Sequence, residues 1–134
     1  MTKKTKRQIL IDKLDKEFSR YVRMWATDEN GYVDCATCSK TYHWTKIQNG
    51  HFQSRRFKST RWDEMNCAPQ CPRCNNWGSG EQYKMAQYLD IRFGIGTAEM
   101  MEEKARIDKK WQMFELEEMY LHFKELAKRL ENSL

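Results

Sequence analysis

From Ile11 onward, apolar residues recur at Leu14, Phe18, Tyr21 and Trp25. That is the three-and-four spacing of one helix face, and Lys13, Lys16, Arg20 and Arg23 supply the opposite, solvated one. The stretch TDENG at 27–31 combines acids with a glycine and ends the helix. Residues 32–80 are rich in turn formers and show no helical period until their end. They predict two short strands among loops, then a helix from near Pro72. That helix, or a continuation after GSGE at 78–81, runs through QYKMAQYLDIRF to the breaker GIG at 94–96.

From Thr97 to the end the pattern predicts one long helix, with Glu99 placed to cap behind Thr97 or Gly96. Its main strip is Met113, Leu116, Tyr120, Phe123, Ala127, Leu130 and Leu134, and Ile107, Trp111, Phe114 and Leu121 form a second. The strips suit packing against the N-terminal helix and core. Two on one helix exceed what a small domain needs, so a homodimer held by this helix is the second reading.

The chain has 134 residues, the size of a single domain, with no internal repeat and no low-complexity linker. Its parts are a basic arm and N-terminal helix over 1–30, a cysteine-bearing core over 31–93 and a C-terminal helix over 97–134. Residues 1–7 carry four Lys/Arg and no apolar pattern, which predicts a flexible arm. There is no run of 18 apolar residues and no apolar signal-peptide core, so a soluble, cytoplasmic protein is expected. The net charge of +5 is uneven: residues 1–80 hold 15 Lys/Arg against 8 Asp/Glu, residues 81–134 hold 9 against 11. A basic front half predicts an anionic partner.

Five cysteines in such a compartment favour metal or chemistry over disulfides. Cys35 and Cys38 in CATC pair with Cys71 and Cys74 in CPRC as C-x2-C-x32-C-x2-C. Two tight thiolate pairs are what a tetrahedral structural zinc requires, whereas two separate redox pairs would need a thioredoxin-like βαβ context that is missing here. Cys67 reads as a small buried hydrophobe, since four ligands already close the site.

Between the knuckles, Arg55, Arg56, Lys58 and Arg61 are interleaved with Phe52, Phe57 and Trp62. Cations among rings suit a phosphate backbone, so these four are candidate DNA contacts. His51 follows a glycine and opens this basic run, which moves it toward chemistry, while His43 reads as a strand residue and His122 as packing.

His51, Asn66 in N-x4-C-x-x-C, and Asn75 directly after the last cysteine resemble the His-Asn-His/Asn series of zinc-knuckle HNH (ββα-metal) endonucleases. The arrangement is similar to that of phage recombination endonuclease VII. FSRYVR, GYVDCATC, GHFQSR, TRWDEMN, QCPRCN and GSGE resemble, in order, the motifs of the phage NinG (Rap) recombination endonucleases over about residues 14–96. The resemblance implies an α+β fold, a small treble-clef-like ββα module flanked by N-terminal and long C-terminal helices. It implies a phage-encoded, structure-specific endonuclease acting on Holliday junctions and D-loops in the host cytoplasm. It gives His51 the role of general base, Asn66 that of bracing the loop of His51, and Asn75 that of ligating a catalytic Mg²⁺ or Mn²⁺. Many HNH enzymes carry an aspartate before the base as second metal ligand; Gly50 stands there here, leaving Glu64, Asp63 and Glu81 as candidates. The alternative is a non-catalytic zinc module that binds branched or single-stranded DNA.

Overall fold

The computed structural model describes residues 2–134. Its first helix, α1 (Lys6–Met24), starts earlier than expected, because Thr5 accepts from the Gln8 N–H and caps it. Residues 6 and 7 are therefore helical, not part of a loose arm. Leu14, Phe18, Tyr21 and Val22 turn into a core shared with Leu116 and Phe123 of α4 (Met113–Asn132), with Trp62 and with Cys67. Arg7 donates to the Trp111 carbonyl near the start of α4, and Arg20 pairs with Glu131 near its end. The two helices thus lie side by side in the same direction. The Phe18 and Phe123 rings meet edge to face at 4.8 Å.

The tail is two helices, not one. α3 (Thr97–Ala105) ends before RIDKKWQ, and α4 begins afresh at Gln112, whose side chain and that of Glu115 form a reciprocal capping box. No proline or glycine marks the break. It is fixed by long-range bonds: the Ser59 hydroxyl donates to the Lys104 carbonyl, and Trp111 Nε1 donates to the Lys58 carbonyl. Glu99 sits in the first turn of α3 without capping it; Asp90 Oδ1 accepts from the Ala98 N–H instead.

Among the described residues four strands form where two were expected. β1 (Tyr32–Asp34) pairs antiparallel with β2 (Thr41–His43), and β3 (Gln48–His51) with β4 (Cys67–Gln70), in two separate two-stranded sheets. Strands of three or four residues are too short to print a period-two pattern. After β4 comes a π-helical turn, Arg73–Trp77, and then a break in which Ser79, Gly80 and Glu81 all have positive φ. α2 (Gln82–Phe93) follows, so the helix expected from Pro72 exists in two pieces. α2 and α3 close the back of the β3–β4 hairpin through Phe52, Ala68, Met85, Leu89, Ala98 and Met101. The whole is α+β. No helix among the described residues is long and apolar enough to cross a membrane.

Gly50 pairs with Ala68, and the side chain of buried Gln70, diagonally across the two strands, explains why position 50 is glycine. A Cβ there would strike Gln70 Oε1 and come within 2.8 Å of Gln70 Cβ. Gln70 Nε2 meanwhile donates to Thr37 Oγ1 and to the Gly80 carbonyl, tying the first cysteine turn to the break before α2. A side chain at position 50 would undo that tie.

Candidate functional site

The four knuckle cysteines converge from the β1–β2 turn and the end of β4. Their sulfurs all lie within 4.8 Å of one another, and Cys38 Sγ stands 3.7 Å from Cys71 Sγ. Four sulfurs at about 2.3 Å from a tetrahedral ion sit about 3.8 Å apart, so this donor set could hold a zinc ion. The Cys71 N–H points at Cys35 Sγ (3.3 Å) and the Cys74 N–H at Cys71 Sγ (3.5 Å), which stabilises thiolates. Burial opposes ionisation of Cys35, but the Cys71 N–H, Thr37 and the Cys38 N–H outweigh it and hold its thiol down at about 6. Val33 and Ile47 cover the cluster. Cys67 lies elsewhere, fully buried in the α1–α4 core, with burial pushing its thiol up.

Next to this centre lies a cleft of about 520 Å³. One wall is α1, through Asp15, Ser19 and Arg23 at four-residue intervals; the others are Gln48, Asn49 and His51 of β3, Asn75 of the π-helical turn, and Ser54 and Arg55. A second hollow of about 380 Å³, lined by Gln53, Ser79, Gly80 and Gln82, shares His51, Ser54 and Asn75 with it. His51 and Asn75 therefore stand at the junction of one groove.

His51 Nε2 lies 2.9 Å from the Arg61 carbonyl oxygen. A carbonyl only accepts, so Nε2 carries the proton and the neutral ring keeps its lone pair on Nδ1. Burial is the main cause holding the His51 pKa below its usual 6.5, with the Arg55 and Arg61 charges adding to it and the Arg61 carbonyl and Asp15 opposing. At neutral pH the ring is an unprotonated base.

Asn66 is completely buried. Its Oδ1 accepts from the Gln53 N–H at 2.8 Å, and its Nδ2 donates to the Gln53 and Thr60 carbonyls, both at 3.1 Å. It thus bridges the two ends of the 53–60 loop that follows His51. Asn75 Nδ2 donates to Gln48 Oε1 at 2.8 Å, which leaves Asn75 Oδ1 without a protein partner among the described residues.

The basic run divides. Arg55, Arg56 and Lys58 are exposed, with Arg55 also reaching Asp15 at 3.2 Å and Arg56 lying over Phe57. Arg61 does not point outward: its side chain is only 16% exposed and is paired with Asp15. Glu64 is outside the cleft too. The 3₁₀ turn Glu64–Asn66 directs Asn66 inward and leaves Glu64 on the far side, where Oε2 accepts from the Tyr21 hydroxyl at 2.6 Å beside Lys104 and His122. Asp63 pairs with Lys104, and Glu81 lines a hollow by Cys38 and Lys84. Among the described residues, none of the three sequence candidates lines either hollow that Asn75 lines. His122 itself is exposed, its ring 5.0 Å from that of Phe123.

Over residues 1–133 the sequence matches the family model described as Bacteriophage Lambda NinG protein. The chain belongs to the NinG family. No curated protein and no solved structure matches it. In this NinG chain the cleft residues that sequence reasoning missed are Asp15, Ser19, Arg23, Ile47, Gln48, Asn49 and Ser54. The first three had a faint signal, a polar row at four-residue spacing on α1, which reads equally as a solvated face. Arg23, counted there as solvated, lies half-buried over the Trp44 ring, and Arg20 is taken up by Glu17 and Glu131.

Proposed function

We propose that this NinG-family chain is a structure-specific endonuclease that cuts branched DNA, such as Holliday junctions and D-loops, during phage recombination. Its frame is a zinc-knuckle ββα module of the HNH type: β3, β4 and the helical turn carrying Asn75, joined to a structural zinc at Cys35, Cys38, Cys71 and Cys74. The observation that carries this is the His51 ring, committed through Nε2 to a carbonyl, with Nδ1 free in a groove shared with Asn75 and flanked by Arg23 and Arg55.

His51 Nδ1 takes a proton from a water whose oxygen attacks the phosphorus. The P–O bond to the leaving 3′ oxygen breaks and that oxygen takes a proton from solvent water, leaving 5′-phosphate and 3′-hydroxyl ends. Arg23 and Arg55 supply positive charge to the groove, and Asn66 holds the loop that presents the Arg61 carbonyl. The buried, unpartnered Asn49 Oδ1 supports a groove that takes a polar ligand. Asn75 offers one free neutral oxygen, which fits a divalent ion only as part of a site that phosphate oxygens and water complete. When bound, Mg²⁺ or Mn²⁺ would stabilise charge on the scissile phosphate and the leaving oxygen.

Asp15 is the one carboxylate lining this cleft among the described residues, and it is engaged by Arg55, Arg61 and Trp62. That scarcity of acids favours a second reading, a zinc module that binds branched or single-stranded DNA without cutting it. Labelled four-way junction and linear duplex, each with and without Mg²⁺ or Mn²⁺, separate the two. His51→Ala should lower the cleavage rate by about 10²–10⁴ while leaving DNA affinity in place. Since burial keeps the ring neutral, the wild-type rate should fall on the acid side of pH 6.5 and not above it. Normal cutting by the variant refutes the role of His51.

A symmetric junction needs two opposed cuts, which calls for two copies of this chain. The surface left for a homodimer is not the main α4 strip, because Leu116, Phe123 and Ala127 are buried against the chain's own core. It is the outer face around Ile9, Phe114 and Leu121. Light scattering should give about twice the 16.2 kDa chain mass, reduced to one by Leu121→Glu. A wild-type monomer both free and on a junction refutes it.

A further inference from the structure

We propose that Asp15 of α1 is the positioning residue of His51, acting through the peptide group between Arg61 and Trp62. The oxygen of that peptide group is the one that accepts from His51 Nε2 at 2.9 Å. Both residues that flank it are fastened to the same carboxylate. Arg61 grips Asp15 with two nitrogens, Nε to Oδ1 at 3.2 Å and Nη2 to Oδ2 at 2.5 Å, and Trp62 Nε1 donates to Oδ1 at 2.9 Å. A fork of two parallel bonds fixes a direction as well as a distance. One carboxylate therefore holds the peptide from both sides, and the peptide holds the imidazole in a single tautomer.

The clamp is sheltered. Trp62 is buried, and the side chains of Arg61 and Asp15 are 16% and 26% exposed. α1 touches the same ring a second way: Phe18, one turn beyond Asp15, lies 6.4 Å from it, centre to centre. The charged groups facing His51 are Arg55 and Arg61 from the loop and Asp15 from α1. Removing the Asp15 charge leaves the two cations uncompensated beside the ring and frees the carbonyl that sets its proton. Only the catalytic consequence of this clamp rests on the endonuclease reading; the clamp itself does not.

The test is the tautomer and titration of His51 in the full-length, zinc-loaded protein, followed by long-range ¹⁵N–¹H correlation. His43→Asn and His122→Gln assign the three rings. In the wild type, His51 should show the Nε2–H form alone. In Asp15→Asn, a folded chain should show Nδ1–H as a second resolvable form and a His51 titration moved to lower pH. A single unchanged tautomer with an unchanged titration in that variant overturns the proposal. Should Asp15→Asn not fold, Trp62→Phe decides by the same reading, because it removes one arm of the clamp and keeps an aromatic ring at that place. On a junction substrate, Asp15→Asn should slow single-turnover cleavage while substrate affinity holds. If the wild type cuts nothing and the tautomer still responds to Asp15, the endonuclease reading fails and the clamp stands.

Discussion

Removal of the Asn66 amide is the sharpest probe of what holds the groove in shape. Asn66→Ala deletes three bonds at once, to the Gln53 N–H, the Gln53 carbonyl and the Thr60 carbonyl. Thr60 is 0% exposed, so its oxygen stays buried without that donor, at a cost of about 1–3 kcal/mol. Gln53 is half-buried and can recruit water, so its two bonds are worth about 0.5–1.5 kcal/mol each. The expected loss is therefore about 2–6 kcal/mol, a large share of the roughly 5–15 kcal/mol that holds a domain together. Asn66→Asp should be no milder. It keeps the acceptor for the Gln53 N–H but turns a carboxylate oxygen toward two carbonyls. Urea unfolding of the zinc-loaded protein measures both, with the slope checked for constancy so that the midpoint shift reads as stability. A loss below about 1 kcal/mol in both variants would mean that Asn66 does not brace the 53–60 loop.

Two further outcomes are expected. Elemental analysis should find one zinc per chain, and Cys71→Ser or chelation should unfold the protein, since a structural zinc contributes about 10–16 kcal/mol; full folding without metal refutes the centre. Arg55→Ala with Arg56→Ala should weaken binding to all DNA alike and flatten its salt dependence, by a slope of about one per lost phosphate contact, while an unchanged slope places both away from the backbone.

The sequence carried the α1 face, the α4 strip and the cysteine spacing because each is a local pattern that packing or a metal later reads without alteration. Cys67 lies in the core as a small hydrophobe, as expected once four cysteines close the metal site, and so does the middle of the main α4 strip, Leu116, Phe123 and Ala127, while Met113 and Leu134 at its ends stay exposed. What stayed hidden depends on contacts far apart in the chain. The split of the tail is fixed by Ser59 and Lys58 carbonyl contacts more than 40 residues away, and composition around 106–112 gives no breaker. Arg61 looked like its neighbours Arg55 and Lys58 until Asp15, 46 residues earlier, claimed it. The candidate acids near β4 were chosen by proximity along the chain, whereas Gln70 at position 50's side and Tyr21 at Glu64 show that neither place opens on the groove.

The loop that carries the exposed cations and the carbonyl bonded to His51 is held largely from outside the cysteine-bearing core. Lys58 is tied by Trp111, Ser59 and Asp63 by Lys104, and Arg61 with Trp62 by Asp15. Every one of those ties starts before residue 31 or after residue 93. A fragment cut to 31–93 would keep all four thiols, His51, Asn66 and Asn75, and still lose the grips that shape the loop. The smallest portable piece of this protein is consequently close to the entire chain, and grafting the knuckle onto another scaffold would transfer its ligands without its working geometry.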